Sequence, residues 1–184
     1  MCNFISISFA KDDTAKDMTL LKKQANNGNV NSAIEFAEKC INPFWQLEIS
    51  GNFKCDAREG YLLVLKFADK GVAEAQQKVG ELLLSGSGVA KNYQDSFLYS
   101  MKAAKQGNTT AQKLISDFYG NIGIVVDKSP IKAYVWFSIA HSINNNIRDS
   151  QKLSILEGNL SKEDLLKAQQ LSKKCQTSNY EDCD

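Results

Sequence analysis

Small and apolar residues recur along the chain at helical spacing, and the whole arrangement recurs in turn. The stretch Ala68-Asp69-Lys70-Gly71-Val72-Ala73-Glu74-Ala75-Gln76 returns 36 residues later as Ala104-Lys105-Gln106-Gly107-Asn108-Thr109-Thr110-Ala111-Gln112, with Ala, Gly, Ala and Gln in register. An earlier copy overlays Ala25, Gly28, Ser32, Phe36 and Ala37 on Ala68, Gly71, Ala75, Val79 and Gly80, and these on Ala104, Gly107, Ala111, Ile115 and Ser116. Each copy reads as a helix end, a glycine just past it, and a new helix whose inward face is small and then large. Small residues let two helices cross close to their joining turn, where a leucine would hold the backbones apart. Gly71 and Gly107 supply the left-handed residue that reverses the chain. Self-similarity at this period marks a unit that buries its apolar face against copies of itself. The predicted fold is all-α, an α/α solenoid of helix-turn-helix repeats with terminal capping helices.

In chain order, Asp17 caps a helix to about Asn27 with Leu20, Leu21 and Ala25 on one face, and Asn29 to Ser32 restart a helix to about Cys40. Leu82 to Val89 close the first helix of the central unit, and Asn92 caps the second, which carries Ser96, Tyr99, Ala103 and Ala104. The next unit answers with Tyr119 to Val126, then Ser129 as cap, Pro130 at the first helical position, and Ala133, Trp136 and Ala140 inward. His141 falls on the Ala104 position and Asn144 on the Gly107 position, where asparagine is expected as the left-handed stand-in for glycine. This third step is 37 residues, which places the extra residue in the Gly120–Val126 loop. The first step is 43, and its surplus lies between Cys40 and Cys55 in a segment holding Pro43, Phe44, Trp45, Leu47, Ile49, Gly51 and Phe53. Beyond Asn146 the pattern predicts a helix Ile147–Glu157, a Gly158-Asn159 stop, and a helix Leu165–Lys174 opened by Ser161-Lys162-Glu163-Asp164 in the manner of a capping box. The chain divides into an N-terminal segment 1–16, a repeat array 17–146, and capping helices with a cysteine-bearing tail 147–184.

Charge narrows the partners. Lys and Arg number 22 against 21 Asp and Glu, which removes the electrostatic reason to expect nucleic acid or an anionic membrane. No apolar run approaches the roughly 18 residues of a membrane span. Five cysteines, Cys2, Cys40, Cys55, Cys175 and Cys183, form no C-x-x-C, and His141 is the single histidine. No metal site or cofactor is predicted. Four of the cysteines group into local pairs. A Cys40–Cys55 disulfide would close a loop of about 15 residues, contributing on the order of 3 kcal/mol in the chain-entropy model. Cys175 and Cys183 repeat the spacing of Ala103 and Ala111, so bonding them would staple the last turn of a solenoid end that has no further neighbour. Cys2 is left over. Residues 1–10 read M-C-N-F-I-S-I-S-F-A, with Ser8 and Ala10 small as at a secretory cleavage site but with no basic n-region. They fit the tail of a signal peptide that starts upstream, an unrelated segment, or a lipid-anchored Cys2. The cysteine pairs point to export, against the alternative of a cytosolic chain with five reduced thiols.

Written out, Ala-x-x-Gly-x-x-x-Ala-Gln, then Gly-x-Gly-Val, then Asn92-Tyr93-x-x-Ser96-x-x-Tyr99-x-x-x-Ala103-Ala104 resembles the Sel1-like repeat, in its exported subgroup. Lys132-Ala133-Tyr134-Val135-Trp136-Phe137-Ser138-Ile139-Ala140 and the helix Leu160-Ser161-Lys162-Glu163 through Ala168-Gln169 look like the terminal units of such arrays. The resemblance covers about Met18 to Asp184, with Gly60 and Leu63 replacing the usual Ala and aromatic of the first unit. It implies a right-handed superhelix that binds other proteins on a concave face, with no shared catalytic residues and so no enzyme. Two exported uses of the family bear on this chain. Cysteine-rich members described as penicillin-binding or weak β-lactamases carry a C-x7-C pair in each repeat, where this chain has one in its last turn only. Other members are immunity proteins that occlude secreted antibacterial effectors, including lipases of type VI secretion systems. Size, a single short array and inferred export fit the second use, in the periplasm or otherwise outside the cytoplasm.

Candidate chemistry elsewhere resolves into structure. Ser129-Pro130-Ile131-Lys132 matches S-x-x-K, but Ser129 is a helix cap and no S-D-N or K-T-G accompanies it. His141 suits a helix end. Gly86-Ser87-Gly88 follows a helix and lacks the Lys-Ser/Thr of a phosphate loop, so it is a turn. Tyr99, Tyr134 and Trp136 at helical spacing read as packing between units, and for a protein partner they are the expected groove anchors. Phe44, Trp45 and Phe53 make the insertion either a hydrophobic lid or a second contact.

Overall fold

A computed structural model of the protein describes residues 17–42, 55–144 and 146–183, and among them there is no strand. Helix α1 covers 17–26. It is followed by α2 (Val30–Ile41), α3 (Ala57–Ala68), α4 (Ala73–Ser85), α5 (Tyr93–Lys105), α6 (Thr109–Asp117), α7 (Pro130–Ile143), α8 (Ile147–Gly158) and α9 (Lys162–Thr177). Packing runs between sequence neighbours, α2 on α3, α4 on α5 and α6 on α7, with α8 and α9 both laid against α7. This is the predicted α/α solenoid. Helix α2 also touches α4, and α4 touches α6, whereas α3, α5 and α7 approach one another less closely. Helices α2, α4 and α6 therefore form one layer, called here the inner layer, and α3, α5 and α7 the outer one.

The tight turns are copies of one another. Gly28, Gly71 and Gly107 have φ of 99°, 89° and 84°. The amide of the residue after each glycine donates to the carbonyl five residues back, Asn29 to Gln24, Val72 to Phe67 and Asn108 to Ala103, at 3.0–3.1 Å, which satisfies the orphan carbonyls of the ending helix. Asn144 departs from expectation: its φ is −120°. Its side-chain amide instead donates to Thr109 Oγ1 at 2.8 Å, so it serves the start of α6 and leaves the left-handed geometry unused. Among the described residues the left-handed asparagine is Asn179 (φ 54°). There Tyr180 N–H donates to Cys175 O at 2.8 Å, repeating the glycine turn after α9.

Small residues set the helix spacing as the repeat required. A Cβ on Gly60 would stand 2.7 Å from Ala37 Cα, and one on Gly80 would stand 2.2 Å from Ser100 Oγ. Ser96 Oγ donates to Gly80 O, and Ser116 Oγ to Ala133 O, each at 2.7 Å. Gln76 and Gln112, both buried, turn their side-chain amides onto Ala68 O and Ala104 O across the turn. The register shift of the third unit is a π turn, Phe118–Ile122. Gly86 N–H donates to Leu82 O, four residues back, while Gly123 N–H donates to Phe118 O, five back. The extra residue thus sits inside the helix end, at the front of the loop where it was expected.

The apolar interior falls into two clusters. The N-terminal one holds Met18, Leu21, Phe36, Val64, Phe67, Val79 and Leu83; the C-terminal one holds Ile115, Phe118, Tyr119, Tyr134, Val135, Trp136, Ile139 and Ala168. Both expected disulfides form. Cys40–Cys55 ties the end of α2 to the start of α3 with Cα atoms 5.1 Å apart, and Cys175–Cys183 closes the tail after α9 at 4.5 Å.

Candidate protein-binding surface

Two layers of helices offer two faces. On the inner layer, charged side chains are spent on one another. Lys78 Nζ lies 2.6 Å from Glu38 and 3.0 Å from Glu81, and Lys152 Nζ lies 2.8 Å from Asp117. Lys39 pairs with Asp17 and Glu35, and Lys113 with Asp149. Burial pulls the Lys78 ammonium down, but its hydrogen bonds to Glu38 and Glu81 outweigh this and hold it above the usual lysine value. The hydrogen bond from Lys113 holds Asp149 below the usual carboxylate range. Lys39–Glu35 and Lys78–Glu81 each lie within one helix, the other pairs join different helices, and together they intersperse both signs of charge along the described residues of this layer.

The outer layer is more open. A groove of about 400 Å³ runs between α1 and α3, lined by Lys22, Asn26, Glu59, Leu62, Lys66 and Asp69, and Lys22 reaches Glu59 at 2.6 Å. At the far end of α3, the Tyr99 hydroxyl of α5 donates to Asp69 Oδ1 at 2.7 Å, and Lys102 Nζ stands 5.2 Å from the Tyr99 ring centre. Partial burial, followed by the Asp69 carboxylate, pushes the Tyr99 phenol up to about 12. Tyr61 is raised in the same way, by burial and then by Asp95 and Asp69. Leu62 and Leu98 occupy the same repeat position and are 45% and 54% exposed. Tyr61, Leu62, Asp69, Leu98 and Tyr99 therefore make a mixed apolar and polar strip along α3 and α5.

Of the residues anticipated as anchors, Tyr99 lies on this strip. Trp136 and Tyr134 do not, being 1% and 5% exposed in the C-terminal cluster. Helix α7 is apolar on every side because α6, α8 and α9 surround it. Its aromatic residues fill the core, and the Tyr134 hydroxyl reaches Glu157 at 3.4 Å. Phe44, Trp45 and Phe53 lie outside the described residues, between the Cys40 and Cys55 ends that the disulfide holds together. Leu62 and Leu98 went unnoticed in the sequence, although their 36-residue spacing on the solvent side of equivalent helices was there to find. Ser129 Oγ accepts from Lys132 N–H at 3.3 Å as the α7 cap. Among the described residues no cluster of His, Cys, Asp and Glu is placed to hold a metal ion.

The architecture is similar to two solved structures. A protective antigen present in uropathogenic Escherichia coli strains, displaying an SLR fold, superposes with a TM-score of 0.72 at 24% identity over 89% of this chain. This chain spans only 34% of that protein. A Sel1 repeat protein from Oxalobacter formigenes superposes at 0.58 with 25% identity over 76% of this chain and 98% of its own. No protein-family model and no curated protein matches the chain. The fold is that of the Sel1-like repeat, as the residue pattern implied. Such a solenoid presents an extended surface built from successive repeats. Its two disulfides fit an oxidising compartment, and no described helix is long and apolar enough to cross a membrane.

Proposed function

We propose that this protein is an exported bacterial immunity protein that binds and neutralises a secreted antibacterial effector, such as a type VI secretion lipase. The observation that carries the reading is a Sel1-like array held by two disulfides, Cys40–Cys55 between α2 and α3 and Cys175–Cys183 after α9. That is a preorganised scaffold for an oxidising compartment, and preorganisation favours tight binding. Its interface comprises the Tyr99 strip of α3 and α5 with the Phe44, Trp45 and Phe53 insertion. Engagement of the Ser129 hydroxyl as a helix cap favours this scaffold over a penicillin-acylating relative, and no nitrocefin turnover is expected. The deciding experiment co-expresses the protein with the toxin encoded beside it. Complex formation and rescue of growth are expected; neither appearing would overturn the immunity reading.

A further inference from the structure

Two stretches of the chain have the N-x-S/T form of an N-glycan acceptor, Asn108-Thr109-Thr110 and Asn159-Leu160-Ser161. The fold treats them differently. Asn108 is the N-cap of α6, its Oδ1 accepting from Ala111 N–H at 2.9 Å, and the turn that follows carries Ala111, Gln112 and Ile115 into the core. Reaching it means unwinding a packed helix. Asn159 stands at the corner between α8 and α9, where it is exposed. Its backbone N–H closes α8 by donating to Ile155 O at 3.2 Å, but its side-chain amide has no hydrogen-bond partner among the described residues. A Cβ on the preceding Gly158 would meet nothing within 4 Å, so the corner stands clear of the rest of the fold. No residue of α8 is buried; the helix joins the C-terminal cluster through partly buried side chains such as Leu153 and Leu156. An end held so lightly opens locally at little cost, as an acceptor must do to enter an enzyme in extended form. The residue two before Asn159 is Glu157, whereas two before Asn108 is Gln106. The Glu157 carboxylate accepts from the Tyr134 hydroxyl at 3.4 Å and makes no ion pair among the described residues, which leaves it to receive a cationic group of an enzyme.

We infer that Asn159 is an acceptor site for an N-linked oligosaccharide, transferred from a polyprenyl pyrophosphate carrier by a bacterial oligosaccharyltransferase that reads Glu157 two positions before it. In the transfer, Asn159 Nδ2 bonds to C1 of the first sugar and the bond from C1 to the carrier's pyrophosphate oxygen breaks. The carrier leaves as its pyrophosphate, the proton lost from Nδ2 passes to solvent, and nothing is oxidised or reduced. Ser161 Oγ, which caps α9 by accepting from Asp164 N–H at 3.1 Å, is released in the same local opening. The attached chain projects from the side of α8 that carries Ile155, one turn earlier and 64% exposed, and covers that apolar surface with a solubilising group. The inference rests on the chain reaching an oxidising compartment, and not on which protein it binds there.

The test incubates the folded, oxidised chain with a purified single-subunit bacterial oligosaccharyltransferase and its lipid-linked oligosaccharide. An unstructured acceptor peptide in the same tube shows that the enzyme is active, and intact mass with peptide mapping reads the product. The expected result is one added oligosaccharide, on the fragment containing Asn159, lost in Asn159→Gln and retained in Asn108→Gln. Glu157→Gln lowers the initial rate at least about tenfold, the loss of one charge-assisted contact. A modified peptide beside an unmodified chain, an oligosaccharide on Asn108 in place of Asn159, or transfer only after the chain is reduced and unfolded would each overturn the site. An equal rate in Glu157→Gln would remove Glu157 from it. No toxin is present in the reaction, so failure here leaves the immunity reading standing, and failure of the toxin co-expression leaves this site standing.

Discussion

Gly80 shows how little room the repeat leaves between helices. Its missing Cβ would sit 2.2 Å from Ser100 Oγ and 3.2 Å from Ser96 O, and Ser100 Oγ is buried without a hydrogen-bond partner. Gly80→Ala is therefore expected to cost roughly 1–3 kcal/mol through overpacking, despite alanine's better helix propensity. Ser100→Gly should recover much of that loss when combined with it, although alone it incurs the usual glycine penalty of about 1 kcal/mol. Thermal melts of the two single variants and the double variant measure the coupling; additive effects would mean that the two groups do not meet. Tyr99 gives a pH-dependent case. Its phenol is pushed to about 12 in the fold from an ordinary value of about 10, so the folded state favours the neutral form. The stabilisation is complete below about pH 10 and is lost as pH rises towards 12. A phenolate titration should lose its latest-titrating tyrosine in Tyr99→Phe, and the variant's stability deficit should shrink over that range. The sequence identified Asn as glycine's substitute but placed it at 144 instead of 179. Repeat arithmetic counts positions, whereas the choice depends on what the side chain finds to bond, and Asn144 finds Thr109.

At the scale of helices, the repeat conceals one broken contact. Gln106 Nε2 donates to Gln76 Oε1 at 2.7 Å, joining the end of α5 to the buried amide of α4. In the following unit Gln112 keeps its bond to Ala104 O, but its Oε1 is buried with no partner. The residue in the place of Gln106 is Ile143, at the end of α7 and 52% exposed. Ile143→Gln should restore the donor and stabilise the protein by about 1 kcal/mol, raising Tm by roughly 2–4 °C at this chain length. No gain in Tm, or a gain equally present in Ile143→Ser, would count against the missing bond. Helix caps at Asn92 and Ser129 were legible because a single local pattern fixes them. The π turn was not, because an inserted residue looks the same in sequence whether a helix or a loop absorbs it. The aromatic residues of α7 were legible as packing between units, but helical spacing reports one apolar face and does not reveal that α9 covers another, which takes Tyr134 and Trp136 out of reach as groove anchors.

Among the described residues, helix pairs pack chiefly on their neighbours, and the Gly80–Ser96–Ser100 contact between α4 and α5 is small and polar. Stability in such an array is a sum of local and nearest-neighbour parts, so damage at one end should spread inward and fade. The Cys175–Cys183 bond lies at the C-terminal end of the described array. It keeps Tyr180 folded back so that the ring lies close over Gly107, where a Cβ would be 3.3 Å away. Closing a loop of about eight residues contributes about 2.5 kcal/mol in the chain-entropy model. Replacing both cysteines with serine should lower the opening free energy of α9 amides by up to about that amount. The loss at α7, whose outer face α9 covers, should be smaller, and α2 to α4 should be unchanged in native-state hydrogen exchange. The Cys40–Cys55 pair predicts the mirror image, with α2 and α3 loosened and α9 untouched. Equal loss of protection along the whole chain in either variant would show a single cooperative unit and contradict nearest-neighbour stacking. Graded loss would mean that each disulfide stiffens its own end, and that the outer strip of α3 and α5 stays in place while the C-terminal end opens.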